Sequence, residues 1–318
     1  MKLTDLYKNL IETGIDNDLR GRKHVEKLLK KTIEDYRELK DEEKKEFDRD
    51  RFFNPYSDTR ILYGDKTAEI RKVLVGVDME VGELLLADRL NEKGAKIDLV
   101  LAHHPEGKAI ANLHEVMMLQ ADIMANFGVP IAAAEGMMLP RIKEIERRVM
   151  PANHNRAVDA AKLLKLNFMC AHTVADNCVA KYLQGRFDTD KPETLGGVLK
   201  LLKSIPEYSH AAEHSAGPKV IVGAPGSKAG RIFVDMTGGT EGAKDLISRW
   251  SAAGISTVVG MHFSEEHKKE MEKSYINAVI AGHIASDNLG LNLLFDEAVK
   301  KDKKLEFIGC SGFFRVKR

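Results

Sequence analysis

Residues 71–105 read RKVLVGVDMEVGELLLADRLNEKGAKIDLVLAHHP, and this stretch decides the fold class. It opens with a short, nearly continuous apolar run, which is typical of a strand buried on both faces. Residues 81–94 then have the pattern of a helix that ends at Gly94, and residues 97–104 form a second buried strand that ends in two histidines. This strand–helix–strand alternation predicts an α/β layer fold with a largely parallel sheet.

A second stretch near the other end of the chain repeats this pattern. Residues 230–262 read GRIFVDMTGGTEGAKDLISRWSAAGISTVVGMH, again strand, helix and strand. Asp78 and His103 lie 25 positions apart, and Asp235 and His262 lie 27 apart. The similarity predicts two related strand–helix–strand units that arose by internal duplication.

Helical segments precede and interrupt these units. The predicted regions are an N-terminal helical extension over 1–54, a first α/β half over 55–184, a connection over 185–218 and a second α/β half over 219–318. The first half carries a helical insert over 111–165, in which the apolar run 129–134 is predicted as a short strand. The Met-rich part of this insert has more apolar surface than isolated helices can hide.

The composition argues against several classes of protein. The 318 residues carry 49 basic and 48 acidic side chains, so their net charge of +1 creates no overall field for nucleic acid or an anionic membrane. No stretch approaches the roughly 20 apolar residues of a spanning helix, and the first ten residues lack a signal-peptide core. Three cysteines without a CxxC pair exclude a disulfide framework and an all-cysteine zinc site. A cytoplasmic protein without a membrane or nucleic-acid partner is therefore expected.

Histidine side chains follow three of the predicted buried strands. The first such strand, 97–102, ends directly before His103, His104 and Pro105. Side chains at strand ends of α/β sheets project into the crevice where ligands bind. The two imidazoles are therefore predicted to face a shared cleft, and the alternative is a pair of solvent-exposed loop histidines.

The second strand exit reads AHTVADN, with His172 and Asp176 four positions apart. A helical turn would place both on one face. Thr173 and Asn177 are then candidates for donors that orient the ligands. The alternative is a helix start in which Thr173 caps and Asp176 merely occupies the first turn.

The third strand exit reads AGHIASDNLG, with His283 and Asp287 four positions apart. The positive end of the following helix favours an ionised carboxylate at this position. The alternative is that Ser286 or Asp287 only caps the helix. Imidazoles and carboxylates without a thiolate suit zinc, iron, manganese or nickel, and five such ligands with a bridging carboxylate suit a two-metal centre.

Three motifs in this order, HHP at 103–105, HTVAD at 172–176 and GHIASD at 282–287, resemble the signature of the Nif-three-like family of dinuclear-metal-centre proteins, once labelled GTP cyclohydrolase I type 2. The segment DTRILYGDKTAEIRKVLVGVD at 58–78 is also similar to that family, and the resemblance covers roughly 55–318. It implies five metal ligands: His103, His104, Asp176, His283 and Asp287. It also implies two divalent ions and a toroidal homohexamer with the metal sites facing an internal cavity.

Two departures from the family pattern stand out. The family usually has glutamate where this chain has Asp287, and the shorter side chain withdraws the carboxylate by about one methylene. The gap between His104 and Asp176 is longer than usual, which fits the inserted helices.

Two functions fit this pattern. The favoured one is a metal-dependent hydrolase of a small molecule, with a nucleotide or another phosphoester among the candidates and with His172 or His267 as the proton shuttle. The alternative is a non-catalytic oligomeric scaffold that stores, delivers or senses metal.

Overall fold

Two β-sheets form the framework of the protein, whose computed structural model describes residues 1–318. The first sheet contains β1 (Thr59–Tyr63), β2 (Lys72–Gly76), β3 (Leu99–Ala102) and β4 (Phe168–Ala171). The second contains β5 (Lys219–Val222), β6 (Ile232–Asp235), β7 (Thr257–Gly260) and β8 (Asn277–Ile280). The last strand, β9 (Glu306–Gly309), returns to the first sheet and pairs in parallel with β2.

The two sheets have the same topology. Their strand orders are β1-β4-β3-β2 and β5-β8-β7-β6, and in each the first strand is antiparallel to three parallel ones. Even the register shift of the antiparallel strand occurs in both. The predicted α/β fold with two related units is therefore confirmed, and the similarity extends beyond the single strand–helix–strand segments from which it was predicted.

The sheet register defines which residues of the two halves are equivalent. Gly76 is the last partner of Ala102, and Asp235 is the last partner of Gly260. His262, two residues after Gly260, therefore corresponds to His104, which lies two residues after Ala102. The comparison by spacing along the chain paired His262 with His103, because that spacing also counts the loop residues between the strands.

Fourteen α-helices surround the sheets. They are α1 (Leu3–Asp16), α2 (Arg22–Glu38), α3 (Asp41–Glu46), α4 (Val81–Glu92), α5 (Gly107–Ala111), α6 (Met118–Asn126), α7 (Ile131–Val149), α8 (Arg156–Leu164), α9 (Thr173–Asp190), α10 (Leu195–Lys203), α11 (Pro206–Glu213), α12 (Leu246–Ala252), α13 (Glu265–Lys273) and α14 (His283–Lys301). None of them combines the length and apolarity needed to cross a membrane.

Three sequence-based boundaries differ from the structure. The strand predicted over 129–134 is wrong: these residues lead into α7, because three consecutive alanines favour a helix and Pro130 immediately precedes its first turn. The sequence pattern predicts that the final helix starts near Asn288, but it starts at His283 and therefore contains both His283 and Asp287. The boundary placed between 184 and 185 falls inside α9, which continues through Gly185 to Asp190.

The helical insert joins the two halves. Met117, Met124 and Met138 are almost completely buried, in the same core cluster as Trp250 of α12. The Gln120 amide of α6 donates to the carbonyl oxygens of Gly238 and Thr240 in the second half. The apolar surface that isolated helices of the insert could not hide is therefore largely covered by the second half of the chain.

Helices α9 and α14 pack against each other and bring the second and third predicted motifs together. A Cβ atom at Gly290 would lie 2.5 Å from the Ala175 carbonyl oxygen, so only glycine permits this approach. Since Ala175 is adjacent to Asp176 and Gly290 lies one turn after Asp287, the close contact sets the separation of these two carboxylates.

Candidate metal centre

The five predicted ligands converge at the carboxyl ends of the parallel strands. One group is buried and consists of His103, Asp176 and Asp287. The His103 Nε2 atom lies 3.4 Å from Asp176 Oδ1 and 3.4 Å from Asp287 Oδ1. Two donors, each about 2.1 Å from one ion at a near-tetrahedral angle, are ~3.4 Å apart, so these three atoms could hold a metal ion.

A second, more exposed group uses the other oxygen of the same aspartate. Asp287 Oδ2 lies 3.6 Å from His104 Nε2 and 3.5 Å from His283 Nε2, and the two Nε2 atoms are 3.4 Å apart. The His104 and His283 side chains are 29% and 40% exposed, whereas Asp287 is completely buried. Asp287 therefore lies between an inner and an outer donor group.

The polar atoms of the inner group lack hydrogen-bond partners. His103 Nε2, Asp176 Oδ1 and both carboxylate oxygens of Asp287 are buried and accept or donate no hydrogen bond. Buried polar atoms are ordinarily paired, and an unpaired buried carboxylate is costly. This donor set, which has imidazoles and carboxylates but no thiolate, therefore fits a divalent metal ion.

The opposite ring nitrogens of His103 and His104 are occupied. His103 Nδ1 lies 3.2 Å from the Ala171 carbonyl oxygen, and His104 Nδ1 lies 2.6 Å from Asp78 Oδ1. In each case an Nδ1–H donates to an oxygen, which leaves the Nε2 lone pair directed at the donor group. Metal-binding histidines are typically held in this way.

His172 lies beside the inner group and is oriented by a buried carboxylate. Its Nδ1 lies 2.9 Å from Asp58 Oδ2, which also accepts a 2.6 Å hydrogen bond from the Thr173 hydroxyl. The opposite nitrogen, Nε2, lies 3.8 Å from Asp176 Oδ2. Through Asp58, Thr173 thus acts on His172 and not on Asp176.

The other two predicted accessory residues are engaged elsewhere. The Asn177 amide donates to the Gly14 carbonyl oxygen of α1 and accepts from the Thr237 hydroxyl, because its position on α9 faces α1 instead of the ligands. His267 lies on the far wall of the cleft, where Nδ1 contacts the Ser264 hydroxyl and Nε2 the Gly242 carbonyl oxygen. Neither His267 nitrogen is free.

The simpler explanations of the three motifs do not describe the structure. His103 is completely buried, so it is not an exposed loop histidine. Neither α9 nor α14 has a side-chain cap, and the Ser286 hydroxyl donates instead to the Gly282 carbonyl oxygen. Asp287 consequently makes no local hydrogen bond that would account for its complete burial.

The charges of the two groups oppose the effect of burial. Burial disfavours a charged His103, but Asp287 and Asp176 outweigh it and raise its pKa well above the ordinary value. Burial likewise disfavours an ionised Asp287, yet the neighbouring His103 lowers the pKa of this carboxyl. Burial and the nearby His103 lower the pKa of His104, which favours the neutral imidazole that a metal requires.

Sequence reasoning missed two residues that orient the histidines. Asp78 was noted only for the duplication, although its place directly after a buried strand gave a signal. Asp58 precedes β1 in a turn-rich segment, and no pattern in the sequence marks it as a partner of His172.

Among solved structures, a NIF3 superfamily protein from Sphaerobacter thermophilus is similar to this chain, with 27% identity and a TM-score of 0.70 over 81% of this chain and 92% of that one. Reduced HcgD from Methanocaldococcus jannaschii is 16% identical, with a TM-score of 0.48 over 78% and 87% of the two chains. A Bacillus cereus protein related to NIF3 is 12% identical, with a TM-score of 0.40 over 81% and 92%. No protein-family model and no curated protein sequence matches the chain.

Proposed function

This chain belongs to the NIF3-like family, and from that premise we propose that it is a metal-dependent hydrolase with a dinuclear centre. The residues that would hold the two ions are His103, His104, Asp176, His283 and Asp287. The observation that supports this most directly is that the two buried, unpaired oxygens of Asp287 face different donor groups. A carboxylate placed in this way suits a bridge between two ions.

Two divalent ions in such a centre supply Lewis-acid activation of water and polarise a carbonyl or phosphoryl oxygen. Zinc, iron, manganese and nickel all suit the donor set. The inner group is buried, whereas the outer group opens to a cleft of about 380 Å³. His104 and His283 line that cleft, so a substrate would approach from their side.

His172 is the side chain best placed to move a proton. It lines the same cleft, and Asp58 holds its Nδ1–H so that Nε2 is left to accept a proton. His267 is a weaker candidate for this role, because both of its nitrogens already have partners.

Metal analysis followed by a substrate screen tests the hydrolase. We expect purified protein to retain divalent metal and to hydrolyse one of the amide, phosphoester or nucleotide classes. This turnover should be lost in His103→Ala and after chelation. His24→Ala is the matched control, because His24 is an exposed histidine of α2, outside the centre. Bound metal without turnover on any class would contradict the hydrolase.

The second candidate is a non-catalytic metal-binding scaffold, and one observation favours it. All three side chains of the inner group are buried, and a metal ion held away from solvent would contribute to folding instead of activating water. In that case metal removal would destabilise the fold, and no substrate class would be turned over.

We also propose that the chain forms a closed homo-oligomer, with a hexamer as the expected state. The family resemblance supports this assembly, and closed rings need matched patches on each subunit. Leu85 and Leu86 of α4 are 53% and 43% exposed and provide apolar surface for such a contact.

A further inference from the structure

The cleft above the outer donor group contains no positively charged side chain other than histidine. Neither lysine nor arginine is among the residues that line it. Carboxylates come from both halves of the chain: Asp78, Glu80, Glu106, Asp235 and Glu241. A phosphate group would therefore find no side-chain partner of the usual kind, such as arginine or lysine, in this cleft.

Asp235 and Glu106 are the two carboxylates of this cleft whose side chains make no hydrogen bond and no ion pair. Asp235 belongs to the second half, where it is the last residue of the edge strand β6. Burial, together with the nearby Glu241, raises its pKa to about 7. A carboxylate in these surroundings gains more from a cationic partner than one that is already paired.

Glu241, in contrast, is fully engaged. The Ser264 backbone N–H donates to Oε1 at 2.6 Å, and the His262 and His267 rings lie 3.6 Å from its two oxygens. Burial opposes its ionisation, but the nearby His262 and His267 rings lower its pKa to about 2. Glu241 is thus a fixed negative charge beside Asp235.

The equivalent position of the first half cannot accept a side chain. Gly76 corresponds to Asp235 in the sheet register, and a Cβ atom there would lie 2.4 Å from Met79 Sδ and 2.8 Å from Ser311 Cβ. In the first sheet, β9 lies beside β2, and the tail after β9 packs against Gly76. In the second sheet, β6 is the edge strand and has no strand beside it on that side. The two halves therefore differ at this strand end, where the second half has the Asp235 carboxylate and the first half has no side chain.

From this asymmetry we infer that the cleft takes a substrate with a cationic nitrogen, an ammonium or amidinium group, and that Asp235 binds it. The inference rests on the proposed function, since it assigns the substrate class of the same centre. Glu241 adds negative potential beside Asp235, and His104 and His283 place the outer donor group on the same cleft. The reacting bond would then be that of an amine-bearing amide or a related neutral group.

Direct binding of two matched probes to Zn²⁺-loaded protein tests this inference. 6-Aminohexanamide and hexanamide differ only in the ammonium group, and phenyl phosphate provides the anionic comparison. We expect calorimetry to show about tenfold tighter binding of the ammonium probe, since a charge-assisted hydrogen bond typically has that effect. The preference should fall to near unity in Asp235→Asn and persist in Glu193→Gln, which removes an exposed charge outside the cleft.

Equal binding of the two amides, or tighter binding of phenyl phosphate that Asp235→Asn leaves unchanged, would overturn the inference. The metal content of the same samples separates this failure from that of the proposed function. Protein that loads with Zn²⁺ but shows no ammonium preference contradicts only the substrate class. Protein that binds no Zn²⁺ contradicts the dinuclear centre, and the probe pair then still tests Asp235 on the metal-free chain.

Discussion

His103 Nε2 and Asp287 Oδ1 lie 3.4 Å apart in the interior, and neither atom has a hydrogen-bond partner. The separation is longer than a charge-assisted hydrogen bond but matches that of two ligands on one ion. The same aspartate directs its second oxygen to His104 and His283. His103 would therefore bind the inner ion alone, and His104 and His283 the outer ion alone, whereas Asp287 would bind both.

The number of metal ions per chain should depend on whether a substitution removes a ligand of the inner group, the outer group or both. We expect Asp287→Asn to lose most of both ions, because one carboxylate serves both groups. Asp176→Asn should lose mainly the inner ion and His283→Ala mainly the outer one. Atomic emission analysis after dialysis gives the metal content per chain, with His24→Ala as the control. If Asp287→Asn retained as much metal as either single-group variant, the bridging role would be excluded.

Metal removal should destabilise the chain. A ligand that binds only the folded state adds about 2.7 kcal/mol to the free energy of unfolding at a concentration one hundred times its Kd. Chelation should therefore lower the Tm of the wild-type protein. Chelation should have little effect on the Tm of Asp287→Asn, because this variant holds little metal. Without metal, the variant also lacks the buried, unpaired carboxylate of the wild type. Identical melting curves with and without chelator would contradict this prediction.

Asp58→Asn should change the orientation of His172 while leaving metal content near that of the wild type. Asp58 is completely buried and accepts hydrogen bonds from His172 and Thr173, so its loss should cost about 1–3 kcal/mol of stability. Nitrogen-15 NMR of the imidazoles would detect an altered His172 tautomer. Thr173→Val removes only the hydroxyl donor, and it should leave the His172 tautomer unchanged.

The sequence predicted the framework and the convergence of the five candidate ligands because both depend on short-range patterns. Buried strands are continuous apolar runs, and residues that follow parallel strands meet at one edge of the sheet. The role of Asp58 depends instead on the contact between the segment before β1 and the start of α9, more than one hundred positions away. The helix at 131–149 was misjudged because a short apolar run does not distinguish a buried strand from a buried helix.

Assembly can be measured independently of metal chemistry. We expect light scattering to give a multiple of the 35.4 kDa chain mass, with six copies as the proposed state. Leu85→Glu should weaken the assembly if the exposed α4 surface forms a contact, and Leu163→Glu, at another exposed leucine, serves as the comparison. A single species of 35.4 kDa at micromolar concentration would contradict the ring.

Asp235 should make the wild-type chain less stable as the pH rises. Its pKa in the folded chain is about 7, above the ordinary value of 3.8, because burial and Glu241 oppose the charged form more than His262 favours it. Between these two values the folded state binds more protons than the unfolded state, so the free energy of unfolding falls with increasing pH. Asp235→Asn lacks this carboxyl, and its free energy of unfolding should exceed that of the wild type by about 4 kcal/mol at pH 8, with little difference near pH 4. Urea unfolding at both pH values measures the change, with Glu193→Gln as the exposed control. Wild-type and Asp235→Asn stabilities that run parallel from pH 4 to pH 8 would show that the Asp235 carboxyl is not held in these unfavourable surroundings.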